Sequence, residues 1–95
     1  MNQAQELEVS HADGRFYVEQ GGRTLAELRY AMDDEGHAVL EHTRVDDALR
    51  GEGVARRLLD AAVEWARATG TRVVPVCSYA RAIFHRDRSL SDVLA

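Results

Sequence analysis

At Gly51 and Gly53 the hydrophobic pattern of this chain changes period, and that change fixes most of what it can fold into. Upstream, apolar residues alternate, as strands require; downstream they recur at helical spacing. The stretch Leu49-Arg50-Gly51-Glu52-Gly53-Val54-Ala55-Arg56-Arg57-Leu58-Leu59 therefore joins a strand to a helix. A helix starts with free N–H groups and a positive dipole end, which together favour an anion. No Ser, Thr, Asn or Asp stands at positions 50–52 to cap those groups, and Gly51 brings no side-chain oxygen. The sequence leaves this helix mouth open, and glycine lets a ligand approach the main chain.

Before the junction, Leu7-Glu8-Val9 reads as a short strand and Ala12 to Arg15 as a turn. Phe16 to Gln20 alternates as a second strand, and Gly21-Gly22 is a hairpin signal. A third strand runs from Arg23 to Met32, with Ala26, Leu28, Tyr30 and Met32 on one face. After the polar turn at Asp33 to Gly36, a fourth strand spans His37 to Val45. Alternation puts Val39, Thr43 and Val45 on one of its faces and Leu40 and His42 on the other. These neighbouring strands are most simply an antiparallel four-strand meander.

After the junction, Val54, Ala55, Leu58, Leu59, Ala62, Trp65 and Ala66 form one face of a helix from Glu52 to Thr69, and Gly70 stops it. Arg72 to Val76 is an apolar run suited to a strand buried on both faces, with Pro75 ending its pairing. Fourth strand, helix and fifth strand form a right-handed β-α-β unit with parallel strands. Ser78 is placed to cap a C-terminal helix from Tyr79 to Arg86, and Ser89 to Leu94 adds a turn. The fold class is α/β in the mixed α+β sense, as a single domain over residues 1–95.

Composition narrows the partners. A net charge of −4 implies no broad basic face for nucleic acid. No apolar run nears the roughly 20 residues that span a bilayer. The polar start, Met1 to Glu6, is unlike a secretory signal, and the single Cys77 suits a reducing compartment, so a cytoplasmic location is expected. All 12 basic residues are Arg, whose forked donors match phosphate or carboxylate. No Cys/His cluster has zinc spacing, so no metal is expected.

Spacing alone leaves two readings of the glycine loop. It is a main-chain cradle for phosphate oxygens, or a plain turn whose arginines Asp46, Asp47 and Glu52 neutralise. A nucleotide P-loop needs Gly-Lys-Ser/Thr, which is absent. The dinucleotide fingerprint needs a third glycine near Arg56 and a parallel sheet before it.

The segment Arg50-Gly51-Glu52-Gly53-Val54-Ala55 resembles the Arg/Gln-x-x-Gly-x-Gly/Ala signature of GNAT (GCN5-related) acyltransferases. More narrowly, the chain resembles small YjdJ-type GNAT-like proteins. His42-Thr43-Arg44-Val45, Leu49 to Ala55, and Val73-Val74-Pro75-Val76-Cys77-Ser78-Tyr79 carry that likeness, in order and spacing. The resemblance implies a shortened GNAT-like fold whose fourth and fifth strands splay apart. It implies acetyl-CoA as cosubstrate, its pyrophosphate on Arg50 to Arg56 and its pantetheine arm along Thr43, Arg44 and Val45. The Val45 N–H is the implied donor to the thioester carbonyl. A tight turn replaces the helices that in larger members help bind the acceptor. Ser78 stands where the family commonly has Pro, and Asp87-Arg88-Ser89-Leu90 where it often has His-Pro-Glu-Tyr.

Three residues are candidates for the chemistry. His42 can deprotonate an amine. Cys77 can take the acyl group or protonate the leaving thiolate, and Tyr79 can supply that proton instead. His11, His37 and His85 lack supporting neighbours in the sequence and are read as surface residues; Trp65 is read as core. The expected function is transfer of acetyl from acetyl-CoA to a small-molecule or peptide amine, by a monomer or weak dimer. The alternatives are a non-catalytic CoA-binding or partner-binding module and a structural protein that binds no CoA.

Overall fold

The computed structural model describes residues 7–95. Five strands lie side by side in chain order: β1 (Ser10–Ala12), β2 (Arg15–Gln20), β3 (Arg23–Met32), β4 (Ala38–Val45) and β5 (Val73–Pro75). The first four pair antiparallel, and β5 pairs parallel to β4. Helix α1 (Val54–Thr69) makes the crossover, α2 (Ser78–Arg86) follows β5, and a 3-10 turn over Arg88–Val93 closes the described chain. This is the mixed α+β architecture the alternation and the period change predict.

One face of the sheet carries the core. Val18, Ala26, Leu28, Ala38 and Leu40 meet Val54, Leu58, Leu59, Ala62, Val63 and Ala66 of α1. Ala80, Ile83 and Phe84 of α2 and Leu90 and Val93 of the last turn complete the same cluster. Ion pairs pin α1 to this closing segment: Arg56 to Asp87 at 2.6 Å and Arg67 to Asp92 at 2.9 Å. Gly70 ends α1 in the left-handed region, with its N–H on Ala66 C=O, as its place in the sequence predicts.

Several boundaries move. The first strand is Ser10–Ala12 and not Leu7 to Val9; Leu7 instead buries its side chain in the core. Only Asp13 and Gly14 make the turn, because Ala12 and Arg15 still pair. Helix α1 starts at Val54 and not Glu52, after a 3-10 turn at Asp47–Leu49. Strand β5 is not buried on both faces: Val73 is, but Val74 and Pro75 are half-buried and Val76 is exposed.

The face assignment in β4 is corrected by a bulge. Arg29 pairs with His42 and Tyr30 with Leu40, so Glu41 is the extra residue. Leu40 therefore shares the core face with Thr43 and Val45, while His42 and Arg44 turn to the other face with Val39. That outer face carries Arg15, Arg29 and His42 in one row and Tyr17, Glu27 and Arg44 in the next.

His11 is exposed, as the sequence predicts, but it is not without neighbours. Its ring stacks on Phe16 at 4.0 Å and meets Trp65 edge-on at 5.2 Å. Its Nε2 lies 2.6 Å from the Tyr30 hydroxyl. Trp65 is half-buried beneath this group and not wholly core. Partial desolvation by the packed rings lowers the His11 pKa from its ordinary 6.5. Below pH 6.5 the unfolded chain then binds more protons than the folded one, so this contribution to stability is full above pH 6.5 and is lost as pH falls through the folded value. Urea midpoints are expected to drop between pH 7.5 and 5.0 by more in the wild type than in His11→Phe. An equal drop contradicts the coupling.

Candidate active site

The glycine junction folds as an open helix mouth. Asp46 caps the 3-10 turn through the Ala48 N–H, and Gly53 is the residue before α1, at φ 75° with no side-chain cap bond. Gly51 sits at φ 80°. A Cβ on either glycine would meet nothing within 4 Å, so backbone conformation, not crowding, selects glycine here. The space before the helix is free, and it opens into a recess of about 320 Å³ lined by Val45, Gly51, Gly53, Ala55, Arg56 and Tyr79. Those are the features a pyrophosphate needs: main-chain donors, a positive helix end and room.

The arginines around the mouth are held locally. Arg50 Nε lies 2.9 Å from Asp47, on the surface. Arg56 Nε reaches Asp60 at 2.9 Å, and its Nη2 reaches Asp87. Those two carboxylates raise the Arg56 pKa and offset the cost of a cation in the first turn. A Ser89 hydroxyl bond, with Arg56 behind it, lowers the Asp87 pKa. Asp87 falls in the tail segment that departs from the family pattern. Its position before a helical turn, ahead of Ser89, is the one signal that marks it as a cap.

Beside the mouth the sheet splits. The β4–β5 ladder covers only Ala38↔Val73, Val39↔Val74 and Leu40↔Pro75. It stops where β4 bulges and where Pro75 has no N–H; the Val76 and Cys77 N–H groups both donate to Leu40 C=O, at 3.0 and 2.9 Å. Beyond that point the β4 edge lies open. The Asp46 N–H donates to Leu25 C=O. By antiparallel alternation, the main-chain groups of His42 and Arg44 then face β3, and those of Thr43 and Val45 face the gap. The bulge sets this phase. Without it, the amides of His42 and Arg44 would point there.

On the far side of the split is a second recess, about 280 Å³, lined by Glu41, His42, Thr43, Cys77, Ser78 and Tyr79. The structure thus brings together His42, Cys77 and Tyr79, and Tyr79 borders both recesses. Burial raises the Tyr79 phenol pKa, so it keeps its proton at neutral pH. Cys77, not Ser78, caps α2: its Sγ accepts the Ala80 N–H at 3.3 Å. The same sulfur lies 3.3 Å from Thr43 Oγ1, a contact no sequence spacing marked because it spans the split. The His42 ring is exposed and makes no hydrogen bond with a described residue. The Arg44 side chain turns away from the mouth, its Nη2 on Thr24 C=O, so only its main chain lies near the gap.

The chain belongs to the GCN5-related N-acetyltransferase family, whose sequence model matches residues 15–93. It is similar to a GCN5-like candidate N-acetyltransferase from Staphylococcus aureus, at 33% identity over 94% of this chain and 88% of that one, with a TM-score of 0.78. It shares its fold with AAC(6')-Iy bound to a CoA bisubstrate analogue, at 21% identity over 80% of this chain and a TM-score of 0.54. A protein from Bacillus anthracis described as a streptothricin acetyltransferase, in complex with acetyl coenzyme A, matches at 17% identity over 82% of this chain, with a TM-score of 0.55. The chain spans 58% and 48% of the length of those two larger proteins. A search of functionally curated proteins gives no match.

Proposed function

We propose that this protein transfers acetyl from acetyl-CoA to a small-molecule or peptide amine at the β4–β5 split. The observation that carries the reading is the pair of amides, Thr43 and Val45, turned into a gap between an open helix mouth and a recess holding His42 and Cys77. The main chain of Gly51, Gly53, Val54 and Ala55, with Arg50 and Arg56, holds the pyrophosphate, while the Glu52 N–H closes the loop on Leu49 C=O. The main chain of Thr43, Arg44 and Val45 lies along the pantetheine arm. The Val45 N–H polarises the thioester carbonyl and steadies the oxyanion, a role worth about 2.7–4 kcal/mol in other enzymes.

The amine nitrogen attacks the thioester carbon, and the carbon–sulfur bond breaks. The amine proton passes to His42, and the leaving thiolate takes a proton from the Tyr79 phenol or from Cys77. A second route has its own observation. The Cys77 sulfur sits between β4 and the start of α2, within 3.3 Å of Thr43 Oγ1, where it can accept acetyl and pass it to the amine.

Release of free CoA thiol across a panel of primary amines tests the reading. Amine-dependent release that saturates with acetyl-CoA is expected. Saturable acetyl-CoA binding without release from any amine would instead make the protein a non-catalytic CoA-binding module. Intact mass after incubation with acetyl-CoA alone separates the routes: an added acetyl in the wild type, lost in Cys77→Ser, marks the covalent one.

A further inference from the structure

Three guanidinium groups on the outer face of the sheet converge on one carboxylate. Arg15 Nη1 lies 3.2 Å from Glu27 Oε1, and Arg29 Nη1 lies 3.8 Å from the same oxygen. Arg44 Nε lies 3.8 Å from Glu27 Oε2. Two of the three have other work. Arg15 also donates to Thr24 Oγ1 and stacks 3.9 Å over the Tyr17 ring. Arg44 donates to Thr24 C=O. Among the described residues Arg29 has only its long contact to Glu27, beyond hydrogen-bonding distance, and its side chain is 55% exposed. Against these three arginines the same face carries Glu27 and Glu19, which leaves one guanidinium in excess.

The sheet register sets that excess beside the recess. Arg29 stands opposite His42 in a hydrogen-bonded pair, about 5.5 Å away at Cα and on the same face. Glu41, the bulge residue, lines the recess next to His42. His42 therefore has Arg29 directly across the ladder, on the same face, and the Glu41 carboxylate beside it in the recess.

We propose that the acceptor is an amine that also carries an anionic group, a carboxylate first of all, received by Arg29 while Glu41 faces the ammonium end. The proposal rests on the acyl-transfer reading above. Arg29 offers a bidentate donor fork that a carboxylate matches and a neutral amide does not. A polycationic amine approaching from this face meets the exposed Arg29 guanidinium and is disfavoured. The carboxylate can belong to a free amino acid or to a peptide side chain.

Matched acceptors test it. Alanine against alaninamide probes a free amino acid; Ala-Glu-amide against Ala-Gln-amide probes a peptide; spermidine probes a polycation. In at least one pair the acidic member is expected to show about tenfold higher kcat/KM, mainly through KM. The gap is expected to close in Arg29→Gln and to reverse in Arg29→Glu, with acetyl-CoA affinity and melting temperature unchanged. Equal rates within both pairs, a gap that survives Arg29→Gln, or spermidine as the best acceptor overturns the proposal and leaves acyl transfer standing. No transfer to any of these amines, while calorimetry still records acetyl-CoA binding, overturns both.

Discussion

Gly53→Asp is expected to weaken acetyl-CoA binding by about a hundredfold or more while the melting temperature stays within a few degrees. Gly53 occupies the left-handed region directly before α1, and its absent side chain leaves the first amides of the helix free. Asp tolerates that conformation better than most residues, and it is a favoured cap. The fold is thus largely preserved, but the carboxylate occupies the anion site. Loss of the charge-assisted bonds there, each worth about 1.5–3 kcal/mol, together with like-charge repulsion, accounts for the hundredfold. Gly53→Ala makes the contrast. It adds backbone strain of roughly 1–2 kcal/mol with no new charge, so it lowers stability more and binding less. Calorimetric titration of both variants reads the result; Gly53→Asp binding within threefold of wild type puts the pyrophosphate elsewhere.

The second large effect is at His42. His42→Ala is expected to lower kcat by about 10²–10⁴ with little change in acetyl-CoA affinity, because an exposed ring across the split loses only its part in proton transfer. The ring makes no hydrogen bond with a described residue, so the substitution leaves the fold intact. Cys77 behaves differently because it also caps α2. Cys77→Ser keeps an acceptor for the Ala80 N–H, whereas Cys77→Ala loses the cap and costs about 1 kcal/mol of stability. On the direct route Cys77→Ser retains turnover; on the covalent route it does not. Turnover in His42→Ala within threefold of wild type removes His42 as the base.

Much of this was legible because local chemistry and global fold agree. Gly21-Gly22 and Gly70 mark turns that side chains rarely adopt, and the period change at Gly51 and Gly53 separates meander from β-α-β unit. Pro75 ends its ladder because it has no N–H to offer. What escaped the sequence has a common cause. The bulge at Glu41 has no side-chain signature, yet it moves His42 to the face opposite Leu40 and turns the Thr43 and Val45 amides into the gap. Simple alternation places His42 with Leu40; the bulge sets it on the face of Arg29 instead. Thr43 meets Cys77, and Arg56 meets Asp87, across 34 and 31 residues, distances at which only the folded topology brings side chains together. Capping preference points to Ser78, whereas the chain enters α2 one residue earlier and Cys77 takes the cap.

Amide NMR during an acetyl-CoA titration tests the central claim most directly, since it reads both ends of the site at once. The shifts are expected to saturate together at Gly51, Gly53, Val54 and Ala55 and at Thr43 and Val45, while Arg67 to Arg72 at the far end of α1 stays unmoved. Saturating shifts confined to that far end, or none at millimolar ligand, would contradict the account.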